Sequence, residues 1–239
     1  MATETDVAVE TFDLATSPRR ELNARLHALA GAAEPPQPAH WRVVNPSGAH
    51  ALAVGLDAPV RVEIEGHVGY YCAGMNKQAT VRVHGNAGVG VAENIMSGTV
   101  VVEGNASQSA AATGRGGLLV VNGDASARCG ISMKGVDIVV RGSVGHMSAF
   151  MAQKGRLVVC GDAGDALGDS IYEARLYVRG DVVGLGADCV EKEVRPEHVE
   201  ELRSLLERSG LADVDATEFR RYGSARRLYN FAVDNAGAY

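Results

Sequence analysis

Between residues 60 and 189, apolar and polar positions alternate in short runs, and each run closes on a glycine at a fixed interval. Gly66, Gly85, Gly104, Gly123, Gly142, Gly161 and Gly180 follow one another every 19 residues without a slip. Two and four positions before each glycine the side chain is always apolar, as in Val62 and Ile64, Val100 and Val102, or Leu157 and Val159. Directly after the glycine come His67, Asn86, Asn105, Asp124, Ser143, Asp162 and Asp181, each followed by Val or Ala. Seven positions after it only Ala or Gly occurs, from Ala73 to Ala187. Alternation with period two, ending in Gly-Asx, predicts a short strand entering a turn that needs a positive φ. A unit of constant length that cannot bury its own apolar side is a solenoid repeat. Nineteen residues are too few for two helices but enough for one coil of a β-helix. Coils stacked about 4.8 Å apart make a rod on the order of 34 Å long. The alternation also sets the facing: Val140 points inward, and Val139, on the other face, is expected to tolerate a charge.

Proline placement agrees. The chain has Pro18, Pro35, Pro36, Pro38, Pro46, Pro59 and Pro196, so none falls inside the repeat. A stacked sheet has no place for a residue without an N–H donor.

The flanks read differently. Ser17 and Pro18 form an N-cap signal, and Leu22, Leu26 and Leu29 recur on one face until Gly31, predicting a helix of about 13 residues. It either caps an end of the solenoid or meets a partner, since alone it is marginal. Residues 32–38 read as a stiff proline-rich linker. Residues 41–59 are strand-like but off the repeat, as a terminal capping coil should be. Pro196 opens a second helix with Val199, Leu202, Leu205 and Leu206 on one face and Gly210 as its stop. Residues 219–231 then carry four arginines and four aromatics in 13 residues. That composition is favoured at interface hot spots, which marks Arg220, Arg221, Tyr222, Arg226, Arg227, Tyr229 and Phe231 as a partner interface. The resulting division is a helix and linker at 1–38, a β-helix at 39–190, and a helix with a docking tail at 191–239.

Composition removes several alternatives. The net charge of −6 gives no general attraction to nucleic acid or anionic membrane. No stretch approaches the roughly 20 apolar residues of a membrane span. Residues 1–14 lack the basic start and apolar run of a signal peptide, so a cytoplasmic location is expected. Cys72, Cys129, Cys160 and Cys189 form no CxxC pair and read as structural thiols. An autonomous β-helix enzyme of the acyltransferase or zinc carbonic anhydrase type would draw on His67, His84 and His146. His146 stands three coils from His84, about 14 Å along the axis, too far to share a zinc ion. Glycine-rich turns can cradle phosphate through backbone N–H groups, and residues 180–186 are where such a contact would fall, but a glycine repeated in every coil is what a turn requirement predicts and what a unique ligand site does not.

The coil Gly161-Asp-Ala-Gly-Asp-Ala-Leu-Gly168 resembles the GxxGxxxG unit of the GXGXG domain. That domain is the right-handed β-helix at the C-terminal end of the large subunit of glutamate synthase, and it is similar to the third subunit of formylmethanofuran dehydrogenase. The tail, Tyr222-Gly-Ser-Ala-Arg-Arg-Leu-Tyr-Asn-Phe-Ala-Val-Asp-Asn235, most resembles the stand-alone β-helix subunit of three-part enzymes such as N-methylglutamate synthase. The resemblance covers residues 42–239. Ser107, Ser126 and Val183 depart from it, standing where other coils have a second glycine. It implies an all-β solenoid, a right-handed β-helix of about seven 19-residue coils with flanking helices. It further implies a structural subunit with no catalytic, cofactor or metal residue in this chain. The partners it implies are a glutaminase-like amidotransferase subunit and an FMN-binding synthase subunit in a hetero-oligomer. FMN, and with it an iron–sulfur cluster, would reside in a partner.

Overall fold

The computed structural model describes residues 9–31 and 39–228. The linker expected at 32–38 and the tail residues Tyr229 and Phe231 lie outside them. The chain is a β-solenoid of about seven turns with two helices. Strands β3 (Arg61–Glu65), β4 (Thr80–Val83), β5 (Thr99–Val102), β6 (Leu118–Val121), β7 (Lys134–Val140), β8 (Lys154–Val159) and β9 (Arg175–Val178) each precede one repeat glycine. They pair in parallel with like positions in register: Val62, Val81, Val100, Leu119, Ile138, Leu157 and Leu176 form one inward column. Every member of that column is fully buried.

Two segments outside the repeat join the same sheet. Strand β1 (Val9–Asp13) pairs in parallel with β2 (His40–Val44), which pairs with β3. The first helix, α1 (Arg19–His27), is shorter than its leucine spacing suggests and lies against the capping coil, with Leu22 and Leu26 buried. The Asn23 amide donates to Ala51 O and accepts from Ala53 N–H, so the helix takes up polar groups of that end of the rod. At the other end, β10 (Cys189–Lys192) and β11 (Arg220–Ser224) run antiparallel, with β11 inserted between β9 and β10. The expectation that the tail stands apart from the solenoid is therefore corrected. Residues 220–224 are a strand of its sheet.

The role expected of the repeat glycines also changes. Gly66 has φ +133°, but the other six do not have a positive φ. They are glycine because consecutive coils touch there. A Cβ on Gly161 would lie 2.6 Å from Ser143 Oγ and 2.8 Å from the Gly142 carbonyl carbon. The residue after each glycine explains the contact. Its side chain accepts the backbone N–H of the same position one coil on: Asn86 from Asn105, Asn105 from Asp124, Asp124 from Ser143, each at 2.8 Å. Ser143 Oγ and Asp162 continue the ladder to Asp181. These bonds join neighbouring coils rather than close a turn within one coil.

Positive φ is concentrated in the arc that follows. In one coil Ser109, Ala111 and Thr113 have φ of 60°, 51° and 57°; two coils on, Met147, Ala149 and Met151 have 54°, 57° and 52°. Left-handed residues at every second position make successive N–H groups point alternately up and down the rod. Thus Ser109 N donates to Ala127 O in the next coil and Ala111 N to Val91 O in the previous one. The middle residue faces the core, which together with its left-handed backbone restricts it to Ala or Gly.

Candidate functional site

Because strand residues alternate, the outward positions form columns of their own. The middle outward column runs Arg42, Glu63, Arg82, Val101, Val120, Val139, Val158 and Tyr177. Its first members are charged and the rest are apolar, and this division organises the surface.

The apolar half is covered by the chain itself. Helix α2 (Pro196–Arg208) starts with proline in its first turn and lays Leu202, Leu205 and Leu206 on that face. Leu211, Ala216 and Phe219 extend the cover, closing a second core with Val120, Val139, Val158 and Tyr177. Val139 is fully buried, so its expected tolerance of charge is wrong: the face it points to is not solvent. A polar cluster borders this seam. Arg156 donates twice to Asp137, at 2.6 and 2.7 Å. Glu201 accepts from Arg175 at 2.6 Å and from the Tyr177 hydroxyl at 2.9 Å. Burial, then the Glu201 charge and its hydrogen bond, push the Tyr177 phenol far above its usual range. Asp137, Lys154, Arg156, Glu173, Arg175 and Glu201 line a cleft of about 400 Å³ here. This cluster was not foreseen. Its one sequence signal is the run Asp137, Arg156, Arg175 at the same position of three successive coils.

The charged half has no cover among the described residues. Arg42 pairs with Glu65, Arg82 with Glu103, and Glu63 with both Arg61 and His84. Asn122 adds a 2.6 Å bond to Glu103. Burial pushes the Glu63 carboxyl up, but hydrogen bonds and charge from His84 and Arg61 pull harder and hold it below the usual range. An open cleft of about 470 Å³ lies here, between His40, Arg42, Arg61, Glu63, Glu65, Arg82 and His84.

The structure separates the residues grouped by sequence. Arg221 and Tyr222 are buried, Tyr222 in the main core and Arg221 donating to Glu193 O at 3.0 Å, so neither offers an exposed docking surface. Arg220 reaches Gly180 O at 2.5 Å. Arg226 is half-buried and Arg227 exposed. The backbone N–H of Arg227 donates to Asp188 Oδ1 at 2.9 Å. Of the N–H groups that the phosphate reading of residues 180–186 would draw on, those of Gly180, Asp181, Val183 and Gly186 bond to the preceding coil. Among the described residues no three His, Cys, Asp or Glu side chains converge as metal ligands. His67 Nδ1 accepts the Asn86 N–H, while His84 holds Glu63.

Protein GlxC from Rhizobium meliloti (strain 1021) is 64% identical over 228 residues, 95% of this chain and 99% of that protein. The chain belongs to the GlxC family. No family model matches the chain. Among its described residues this GlxC-family chain has no helix long and apolar enough to cross a membrane.

Proposed function

We propose that this chain is a non-catalytic structural subunit of a multi-subunit, glutamate-synthase-like enzyme, an N-methylglutamate synthase acting on glutamate and methylamine in the cytoplasm. The observation that carries this reading is the division of the outer sheet face. Its apolar half is sealed internally by α2, whereas its charged half is a broad surface that the described residues leave open beside it. Such a surface suits a partner that must be held in a fixed orientation, because paired charges set register and reject wrong partners. The GXGXG-like coils and the stand-alone-type tail support the choice of enzyme. A glutaminase-like subunit and an FMN-binding synthase subunit are the partners this assigns, with the rod keeping ammonia production and use at a constant separation. The coil resemblance alone is shared with formylmethanofuran dehydrogenase, and a scaffold in that kind of complex is the second reading.

The test is to purify the tagged chain from its native cells under gentle conditions. The reading expects a complex of fixed stoichiometry with both partners, flavin absorbance, and N-methylglutamate formed from glutamate and methylamine. Flavin bound to the isolated chain, or a complex lacking either partner, refutes it. Arg42→Glu with Arg82→Glu should abolish the assembly while leaving the rod folded.

A further inference from the structure

On the outward strand positions Arg42, Arg61, Arg82, Arg156 and Arg175 are all in ion pairs. A second file of cations, at the entrance to the strands, is not. Arg115, Lys134 and Lys154 stand where β6, β7 and β8 begin, in three successive coils, and each is followed directly by glycine. All three are exposed, and among the described residues none has an ion pair or a side-chain hydrogen bond. Lys134 and Lys154 are direct partners in the register of β7 and β8. Like charges placed opposite each other on adjacent strands are destabilising. The file is not a by-product of a basic chain, since the net charge is −6.

The glycines beside these cations leave a track of bare backbone. Gly135 has φ +141° and Gly155 φ +112°, and a Cβ on them would lie 2.5 Å from Arg115 O and 2.3 Å from Val136 O. Close stacking of the coils explains the glycines; its consequence is a strip without side chains next to the basic file. Both glycines, with Lys154, line the cleft of about 400 Å³ beside α2. Two carboxylates of that cleft are engaged elsewhere, Asp137 by Arg156 and Glu201 by Arg175 and Tyr177. Glu173 follows Lys154 one coil on, makes no ion pair with it, and ends the basic file. The track therefore runs over three coils, two steps of stacking or about 10 Å.

We propose that this track docks an extended acidic segment of a partner subunit, with its carboxylates on Arg115, Lys134 and Lys154 and its backbone over Gly135 and Gly155. The inference rests on the scaffold reading for the partner's being a subunit of the same enzyme, and it adds the chemistry of the contact. An extended segment fits better than one small anion, because the cations stand in file along the rod instead of converging on a point. About 10 Å is the reach of roughly three extended residues. The track lies on β6–β8 and is separate from the charged sheet face at Arg42 and Arg82, on β2 and β4. A rod that holds two partners needs two such surfaces.

The probe is a fluorescein-labelled octaglutamate peptide, followed by anisotropy with the full-length chain at low salt. Wild type should bind it and release it as salt rises. Lys134→Glu with Lys154→Glu should weaken binding by about tenfold, and Lys134→Arg with Lys154→Arg should keep it. Arg42→Glu with Arg82→Glu, on the other surface, should bind the peptide as wild type does. No binding by wild type, an affinity unchanged by the lysine reversal, or an equal loss in the Arg42 and Arg82 variant overturns the proposal. Displacement of the peptide by inorganic phosphate at equal charge concentration overturns it too, because the track is then a small-ion site. The peptide assay needs no partner, so the two readings fail separately. A wild-type chain that passes it but carries no subunits from its native cells refutes the scaffold reading alone.

Discussion

Replacing Val139 by aspartate tests the two-sidedness of the sheet. Val139 is fully buried in the core that α2 closes, with Leu202, Leu205 and Leu206 in the same cluster. Losing its apolar burial costs about 1.5–3 kcal/mol. A dry, unpaired carboxylate adds several kcal/mol more. That penalty has an escape, because α2 can lift away and let water reach the carboxylate. The cost of Val139→Asp is therefore capped by what the docking of α2 contributes. Val140, equally buried, has no such escape: it is stacked between Val121 and Val159 inside the solenoid. The expected outcome is a clear separation between the two variants. Val140→Asp should lose its β-type circular dichroism at much lower denaturant than wild type. Val139→Asp should keep that signal while amides of α2 exchange faster and proteases cut between residues 193 and 219. Val139→Ala should cost about 1–3 kcal/mol with α2 still docked. If Val139→Asp leaves α2 as protected as in wild type, the helix is not held by this face. If both aspartate variants lose the β signal together, the sheet has no separable outer layer.

Three further outcomes follow from the stacking and the ion pairs. Gly161→Ala should lower the unfolding midpoint by the equivalent of about 1–3 kcal/mol, because its Cβ would meet the Gly142 backbone at 2.8 Å; a stability equal to wild type would refute the close-approach reading. Glu63, held below the usual carboxylate range, contributes stability present above its unfolded pKa of about 4.3 and lost as pH falls through the lower folded value. Acid titration of Glu63→Gln should therefore show a shallower loss of stability below about pH 4.3 than wild type, and equal slopes would contradict the assignment. Burial pushes the Cys72 and Cys129 thiols up to about 12, so neither should react with a thiol reagent until the rod unfolds; prompt labelling of either in the native protein would mean the coils open locally.

The inward columns were legible because two independent periods coincide on them, two within the strand and 19 between coils. The outward face was not, although a signal existed. Leu118-Leu-Val-Val and the other continuous apolar runs are what a strand buried on both faces looks like. The helix with Leu202, Leu205 and Leu206 needed an apolar surface, and matching the two would have placed Val139 correctly. The glycines misled for a different reason. A turn with positive φ and a close contact between coils both exclude a Cβ, and spacing alone cannot tell them apart. Arg221 and Tyr222 misled because arginine and tyrosine are at home both in an interface and, with their polar atoms satisfied, in a cap strand.

The left-handed arc also shows why the ends of this rod matter more than their size suggests. A left-handed residue other than glycine costs roughly 1–2 kcal/mol, and the interior coils carry several each. What offsets that cost is bonding to a coil on either side, since alternate N–H groups reach up and down. The capping coil against α1 keeps the conformation, with Ala51 and Ala53 both at φ 54°. The coil before the last keeps it as well, at Ala166 and Ser170. In the last coil Leu185 and Ala187 abandon it, and Asp188 alone is left-handed, at the point where Ala225 and Ser224 bond to it. Left-handed backbone thus persists where a neighbour satisfies it and relaxes where none does. A solenoid built this way cannot be shortened or left uncapped without cost to the coil that becomes terminal. That is the physical reason for both closures, α1 with its Asn23 at one end and β11 at the other.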